Sequence, residues 1–111
     1  LAVIVPSTVN VNVPNMELHR KMVSLAMATM SAKYGGATAI PAQGGYMAEN
    51  GDLVTESVTI VQSWTTQENA TGETVRELAE RICEEMSQEC VGIEWDGQFE
   101  LVNRRALRLA A

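Results

Sequence analysis

The sequence has little of what most catalytic and metal sites are built from. Its 111 residues include one histidine and two cysteines, and no stretch matches a CxxC, HExxH, GxSxG or P-loop motif. Cys83 and Cys90 lack the short spacing of a metal knuckle or a redox pair, so we expect free thiols. We therefore predict no catalytic residue, no metal site and no cofactor, and we expect that the protein is not an enzyme.

Basic residues and long apolar runs are also scarce. Eight Lys and Arg stand against 14 Asp and Glu, a net charge of -6, so the surface field disfavours long nucleic acids and anionic membranes. No apolar run approaches the roughly 18 residues that span a bilayer, and the first residues lack the order of a signal peptide. We expect a cytoplasmic protein without a membrane partner.

The apolar pattern predicts one α+β domain over residues 1–111, with a core at 1–103 and a basic tail at 104–111. Helices are predicted at 16–34 and from about residue 74 to 86. Strands are predicted at 1–5, 37–48, 53–65, 90–95 and 98–102. This order is that of the ferredoxin-like split β-α-β fold, an antiparallel sheet with two helices on one face, plus an extra C-terminal strand.

The predicted strand at 53–65 has two different faces, because side chains alternate along a strand. One face carries Val54, Val58, Ile60 and Trp64, and the other carries Thr55, Ser57, Thr59, Ser63 and Thr65 with Val61. We expect the helices to cover the apolar face. The hydroxyl face would then meet water, a ligand or another subunit.

The first helix has a wider apolar sector than one sheet-facing stripe needs. On a helical projection this sector spans roughly 200°, and it is formed by Met16, Leu18, Met22, Val23, Leu25, Ala26, Met27, Met30 and Tyr34. We therefore expect a homo-oligomer, a dimer or higher, in which this sector contacts another subunit. His19, in the same sector, is expected to be a hydrogen-bonded packing residue.

The last eight residues depart from the acidic average. Arg104, Arg105 and Arg108 lie close together in sequence, and Arg104 and Arg108 are one helical turn apart, so they could clamp a phosphate or carboxylate. An exposed tail of solvated charge is the alternative.

Four segments together carry a resemblance to a known family. They are "VPSTVN" after the first strand, "YGGAT" after the first helix, "NGDLVTESVTIVQSW" and "QECVGIEWDGQFEL". The chain resembles the small phage and prophage Thoeris anti-defence proteins, sponges for nucleotide signals. The resemblance implies a non-enzymatic oligomer in the host bacterial cytosol that sequesters a cyclic ADP-ribose isomer, and in some members a cyclic dinucleotide.

Such a ligand needs cations, small polar side chains and a flat ring surface. Ser7, Thr8, Asn10 and Thr65 supply polar groups, and Tyr46 and Trp64 are the candidates for stacking. Gln43 stands where the resemblance leads us to expect an arginine, which weakens that phosphate contact. A small ferredoxin-like enzyme and a regulatory or assembly module without a ligand are the alternative functions.

Overall fold

Seven strands and two helices are formed by the residues that the computed structural model describes, which are 1–9, 13–66 and 71–104. The strands are β1 (Ala2–Pro6), β2 (Thr8–Val9), β3 (Val13–Pro14), β4 (Thr38–Met47), β5 (Leu53–Gln62), β6 (Cys90–Trp95) and β7 (Gln98–Asn103). The helices are α1 (Met16–Tyr34) and α2 (Glu73–Glu85). None of the described helices is long and apolar enough to cross a membrane.

The main sheet has the strand order β4-β5-β1-β6-β7, and each neighbouring pair is antiparallel. This confirms the predicted α+β fold. The order agrees with a ferredoxin-like sheet that β7 extends at one edge. The short strands β2 and β3, which the sequence analysis did not predict, pair only with each other among the described residues.

Local signals place the ends of α1 and the tight turns. The side chain of Asn15 accepts a hydrogen bond from the Leu18 amide at 3.0 Å, which caps the helix. Gly35 ends the helix in the left-handed region, with φ of 91°. Asp96 and Gly97 both have positive φ in the β6–β7 hairpin, as a two-residue type I′ turn requires.

Both helices pack on the same face of the sheet. Val3 and Val5 of β1 are fully buried there, and each such side chain contributes about 1.5–3 kcal/mol relative to an exposed one. The cluster around them comprises Met22, Ala26, Met30, Val61, Val75, Leu78, Ala79, Ile82, Cys83, Met86, Val91, Ile93 and Val102. The helices thus share one core with the three central strands and β7.

The prediction of which β5 face the helices cover was wrong. Val61 lies opposite Val3 in the β1–β5 register and is fully buried, so the helices cover the face that carries the hydroxyl groups. Two of those hydroxyls have partners there. Thr59 Oγ1 lies 2.9 Å from His19 Nε2, and Ser63 donates to the Gly36 carbonyl at 2.7 Å.

The other face of the sheet is apolar, and neither of the two described helices lies on it. Val58 and Ile60 of β5 lie on it together with Ile4 of β1, because the register pairs these positions across the sheet. A Cβ atom built on Gly92 would lie 3.0 Å from the ring of Phe99, so that ring lies against the β6 backbone. We call this surface the open face. Its edges carry exposed side chains, which include Ile40 at 39%, Phe99 at 63% and Leu101 at 58%.

Candidate functional site

A cavity of about 320 Å³ lies where β1 ends and β5 continues beyond it. We call it the Glu56 cavity. It is lined by Ser7, Thr8, Pro14, Met16, Tyr46, Val54, Thr55, Glu56 and Ser57. It therefore combines a carboxylate, an aromatic ring and several hydroxyl groups with an apolar wall.

The β4–β5 hairpin positions the ring and the carboxylate. Tyr46 pairs with Val54, and Gly44 pairs with Glu56, so Tyr46 and Glu56 are diagonal neighbours on the open face. Gly44 has no side chain opposite the carboxylate, and a Cβ atom there would approach only Val58, at 3.8 Å. The hairpin thus leaves space beside Glu56, while the Tyr46 side chain is 51% exposed.

Hydrogen bonds from distant parts of the chain hold the floor of this cavity. The Thr8 hydroxyl donates to Glu56 Oε2 at 3.1 Å. Gln88 Nε2 donates to the Thr8 carbonyl at 2.6 Å and to Thr8 Oγ1 at 3.1 Å. Within the described ranges, Glu56 Oε1 has no hydrogen-bond partner, so this oxygen is available to a ligand.

The segment that carries Thr8 is also fixed from α1. His19 is 6% exposed and its Nδ1 donates to the Pro6 carbonyl at 2.7 Å, which confirms the predicted packing role. The Asn15 amide donates to the Ser7 carbonyl at 2.9 Å. Pro6, Ser7 and Thr8 are therefore held before any ligand arrives, which is the preorganisation that precise binding sites need.

A second cavity, of about 400 Å³, is lined by Leu1, Gln62, Ser63, Trp64, Thr65, Glu94, Asp96 and Gly97. We call it the Glu94 cavity. Glu94 Oε1 accepts a hydrogen bond from the Gly97 amide at 2.9 Å, and Oε2 lies 3.7 Å from the main-chain nitrogen of Leu1. Trp64 is 85% exposed. Here both carboxylate oxygens face groups that hold the hairpin and the first strand together.

The residues predicted to bind a ligand do not form one site. Ser7, Thr8 and Tyr46 line the Glu56 cavity, whereas Trp64 and Thr65 line the Glu94 cavity. Gln43 is exposed on β4, on the sheet face opposite to that of Tyr46. Asn10, Arg105 and Arg108 lie outside the described residues.

Arg104 lines neither of these two cavities. Its amide donates to the Glu89 carbonyl at 2.8 Å, and its buried Nε atom has no hydrogen-bond partner within the part of the chain that the structure describes. Burial raises the pKa of Cys83 to about 12, the nearby Cys90 adds to this shift, and the charge of Arg104 opposes it. Both cysteines are free, and a thiol with so high a pKa is a poor nucleophile.

Glu56 and Gln88 are the site residues that the sequence analysis missed. A signal for Glu56 was present, since it is the acidic residue on the β5 face that otherwise carries Val54, Val58 and Ile60. Gln88 gave no such signal, because it is 80 residues from Thr8 along the chain. In the described ranges no group of three or more His, Cys, Asp and Glu residues could hold a metal ion.

Two solved structures are similar to this chain over most of its length. A phage SAM lyase in its apo state has a TM-score of 0.57 and 24% identity, and the match covers 94% of this chain and 87% of that one. A phage SAM lyase in complex with S-methyl-5′-thioadenosine has a TM-score of 0.54 and 21% identity, over 92% and 86%. No family model matches the chain, and no curated protein matches it significantly.

At these identities the likeness shows a shared fold, and it corrects several predictions. The neighbours are phage proteins, which supports the resemblance at that coarser level and not the likeness to Thoeris sponges. They are enzymes that act on SAM, so the prediction of a non-enzymatic sponge is contradicted. The predicted cyclic ADP-ribose and cyclic dinucleotide partners are contradicted too, because the neighbour's ligand is S-methyl-5′-thioadenosine.

Proposed function

We propose that this protein is a SAM lyase, which binds S-adenosylmethionine (SAM) in the Glu56 cavity and releases S-methyl-5′-thioadenosine. The observation that supports this most is the arrangement of Glu56, Thr8 and Tyr46 around one cavity, in a fold that phage SAM lyases share. The enzyme alternative from the sequence analysis thus replaces the sponge.

The cavity suits the chemistry of SAM. The substrate carries a sulfonium and an ammonium group, both positive, and Glu56 Oε1 faces them without a competing hydrogen bond from the described residues. The Tyr46 ring offers its face to the sulfonium or the adenine. The net charge of -6 attracts a cationic substrate, whereas it would repel a cyclic dinucleotide.

The reaction needs no nucleophile from the protein, because SAM carries both reacting groups. Its carboxylate oxygen attacks the γ-carbon of the amino-acid chain, the γ-carbon–sulfur bond breaks, and the bonding pair stays on sulfur. The products are homoserine lactone and neutral S-methyl-5′-thioadenosine, so atoms and charges balance. The protein's contribution is orientation, which supplies a large part of the barrier reduction in intramolecular reactions. A protein with few nucleophilic side chains can therefore still catalyse this reaction.

The test is conversion of SAM by the purified protein. We expect liquid chromatography with mass spectrometry to show S-methyl-5′-thioadenosine and homoserine lactone in a one-to-one ratio. The wild type and Glu94→Gln should form these products to the same extent. Glu56→Gln removes the negative charge at constant shape, and we expect it to abolish most of the conversion. If SAM is recovered intact with the wild type, the proposed function is wrong.

We also propose that the protein is a homo-oligomer, but with the open face as its contact. Met27 of α1 packs partly against the core, so the helix is no longer the best candidate. The open face carries exposed Ile40, Phe99 and Leu101, and apolar side chains clustered on a sheet mark association surfaces. We expect Phe99→Lys to produce monomers in sedimentation velocity; a wild type that is monomeric at micromolar concentration would contradict the proposal.

In a bacterial host, such an enzyme would act against defence by removing SAM, the methyl donor of cellular methyltransferases. The cytosol, where SAM is made and used, stays our prediction for its location. We expect the SAM content of cells that express the wild type to fall, and that of cells expressing Glu56→Gln to stay at the level of an empty vector. An equal fall in both would show that the effect does not come from the Glu56 cavity.

A further inference from the structure

Gln88 lies outside the Glu56 cavity but directs the hydroxyl group that contacts its carboxylate. The Gln88 amide has two N–H groups, and they reach the carbonyl oxygen and the hydroxyl oxygen of the same residue, Thr8, at 2.6 and 3.1 Å. An amide nitrogen only donates. Thr8 Oγ1 is therefore an acceptor toward Gln88.

This fixes the direction of the whole chain of hydrogen bonds. A hydroxyl group has one hydrogen, and with Gln88 donating to its oxygen, that hydrogen is left to point at Glu56 Oε2, 3.1 Å away. The carboxylate is then held through one oxygen, while Oε1 faces the cavity. Without Gln88, the Thr8 hydroxyl could rotate toward another acceptor, since nothing else in the described residues donates to it.

The end of α2 sets the position of Gln88. The helix stops at Glu85, and Ser87 adopts a positive φ of 51°, a conformation that costs a non-glycine residue energy. The backbone amide of Gln88 then donates to the Cys83 carbonyl at 2.9 Å. This turn sends the Gln88 side chain toward β2, and the backbone of Gln88 is anchored separately from its side chain.

We propose that Gln88 is a positioning residue for the lyase reaction: acting through the Thr8 hydroxyl, it orients the Glu56 carboxylate toward the substrate. The inference rests on the proposed function for its role in turnover, and on the three hydrogen bonds alone for the positioning itself. It assigns a role in positioning to the turn after α2, which does not line the Glu56 cavity.

The positioning is tested without a ligand, by the carbon-13 NMR signal of the Glu56 carboxyl carbon, assigned with Glu56→Gln. Gln88→Met keeps the length of the side chain and removes its donor. We expect it to move the Glu56 signal in the same direction as Thr8→Val, which removes the hydroxyl. The matched control, Gln62→Met in the Glu94 cavity, should leave the signal in place. An unmoved Glu56 signal in folded Gln88→Met protein would overturn the inference.

The rate of SAM turnover tests whether catalysis depends on this orientation of Glu56. Gln88→Met and Thr8→Val should each lower kcat/KM roughly tenfold, the size of one lost hydrogen bond to a charged group, and Thr8→Ser should restore it. The double variant should be no slower than Thr8→Val alone, because both changes break one chain. Additive losses would overturn the inference. A wild type that is inactive on SAM refutes the proposed function, while the NMR result still decides the positioning.

A second variant guards against misfolding of Gln88→Met. Thr8→Val leaves the bond from Gln88 to the Thr8 carbonyl intact and removes the two bonds of the hydroxyl, the one from Gln88 and the one to Glu56. If Thr8→Val is folded by circular dichroism yet keeps the wild-type rate and the wild-type Glu56 signal, the proposed chain of hydrogen bonds has no functional role and the inference fails.

Discussion

Two carboxylates on the same sheet are held in different ways. Among the described residues, Glu56 accepts one hydrogen bond, from a side-chain hydroxyl that Gln88 in turn directs. Glu94 accepts a hydrogen bond from a backbone amide within its own hairpin and lies near the main-chain nitrogen of Leu1. The first arrangement leaves one oxygen facing a cavity, whereas in the second each oxygen has a neighbour in the fold.

The difference separates a carboxylate built for a ligand from one that stabilises a turn. A hydrogen bond from a backbone amide of its own turn satisfies the Glu94 carboxylate locally. The Glu56 arrangement recruits residues from three separate parts of the chain around a single charge. A binding site needs residues from distant parts of the chain to meet at one point, whereas a locally stabilised turn does not. The two cavities are of similar volume, so size alone would not distinguish them.

The largest contrast is expected between Glu56→Gln and Glu94→Gln. Loss of the charge at Glu56 should lower kcat/KM for SAM roughly 100-fold, as for a charge-assisted hydrogen bond. The same change at Glu94 should alter it by less than about twofold, because that oxygen pair serves the hairpin. Steady-state production of S-methyl-5′-thioadenosine measures both. Equal losses in the two variants would show that the cavities belong to one site.

A smaller contrast is expected between Tyr46 and Trp64, the exposed aromatic residues that line the two cavities. Tyr46→Ala should weaken SAM binding about tenfold by removing a stacking surface, and Tyr46→Phe should retain most of the affinity. Trp64→Ala, in the Glu94 cavity, should have little effect, although its ring is the more exposed. Isothermal titration with S-methyl-5′-thioadenosine checks the stacking without turnover. Stronger dependence on Trp64 would move the proposed site to the other cavity.

The space beside Glu56 gives the third contrast. Gly44→Ala should leave the melting temperature nearly unchanged, because the added Cβ meets only Val58 at an ordinary contact distance. Gly44→Leu should raise KM several-fold, roughly 1 kcal/mol, by filling part of the space that Gly44 leaves opposite the carboxylate. An unchanged KM in folded Gly44→Leu protein would mean that the substrate does not use this part of the hairpin.

The smallest effect is on stability at high pH. It arises from Cys83 in the shared core, and it should alter neither cavity. The pKa of Cys83 is raised from 9.0 to about 12, so above pH 9 the unfolded chain loses this proton while the folded chain keeps it. The free energy of unfolding therefore falls as the pH rises from 9 toward 12. Thermal melts over this range should show a shallower fall in Cys83→Ala, whose kcat/KM at neutral pH should stay near that of the wild type. If the melting temperatures of the wild type and Cys83→Ala fell equally steeply with pH, Cys83 would not be the cause of the loss of stability.

The helices and turns were predictable because their signals are local. Asn15 caps α1, Gly35 ends it, and the Asp96-Gly97 pair turns the last hairpin, each through backbone geometry set within a few residues. The site was only half predictable. Ser7, Thr8 and Tyr46 were named and do line one cavity, but they were grouped with Trp64, which lies in the other. Membership of a site depends on register and on chain path, which these local patterns do not encode.

The sequence by itself determined the two helices, the five strands of the main sheet, their order along the chain and the division of β5 into two faces, because helix and strand periodicities are properties of the local chain. Only the tertiary structure decided which face the helices cover: the pairing of Val61 with the buried Val3 places the hydroxyl face inside, where His19 and Gly36 satisfy Thr59 and Ser63. It alone also decided that Gln88 reaches Thr8, because a contact between residues 80 positions apart arises when two elements pack against the same sheet, and no periodicity records it.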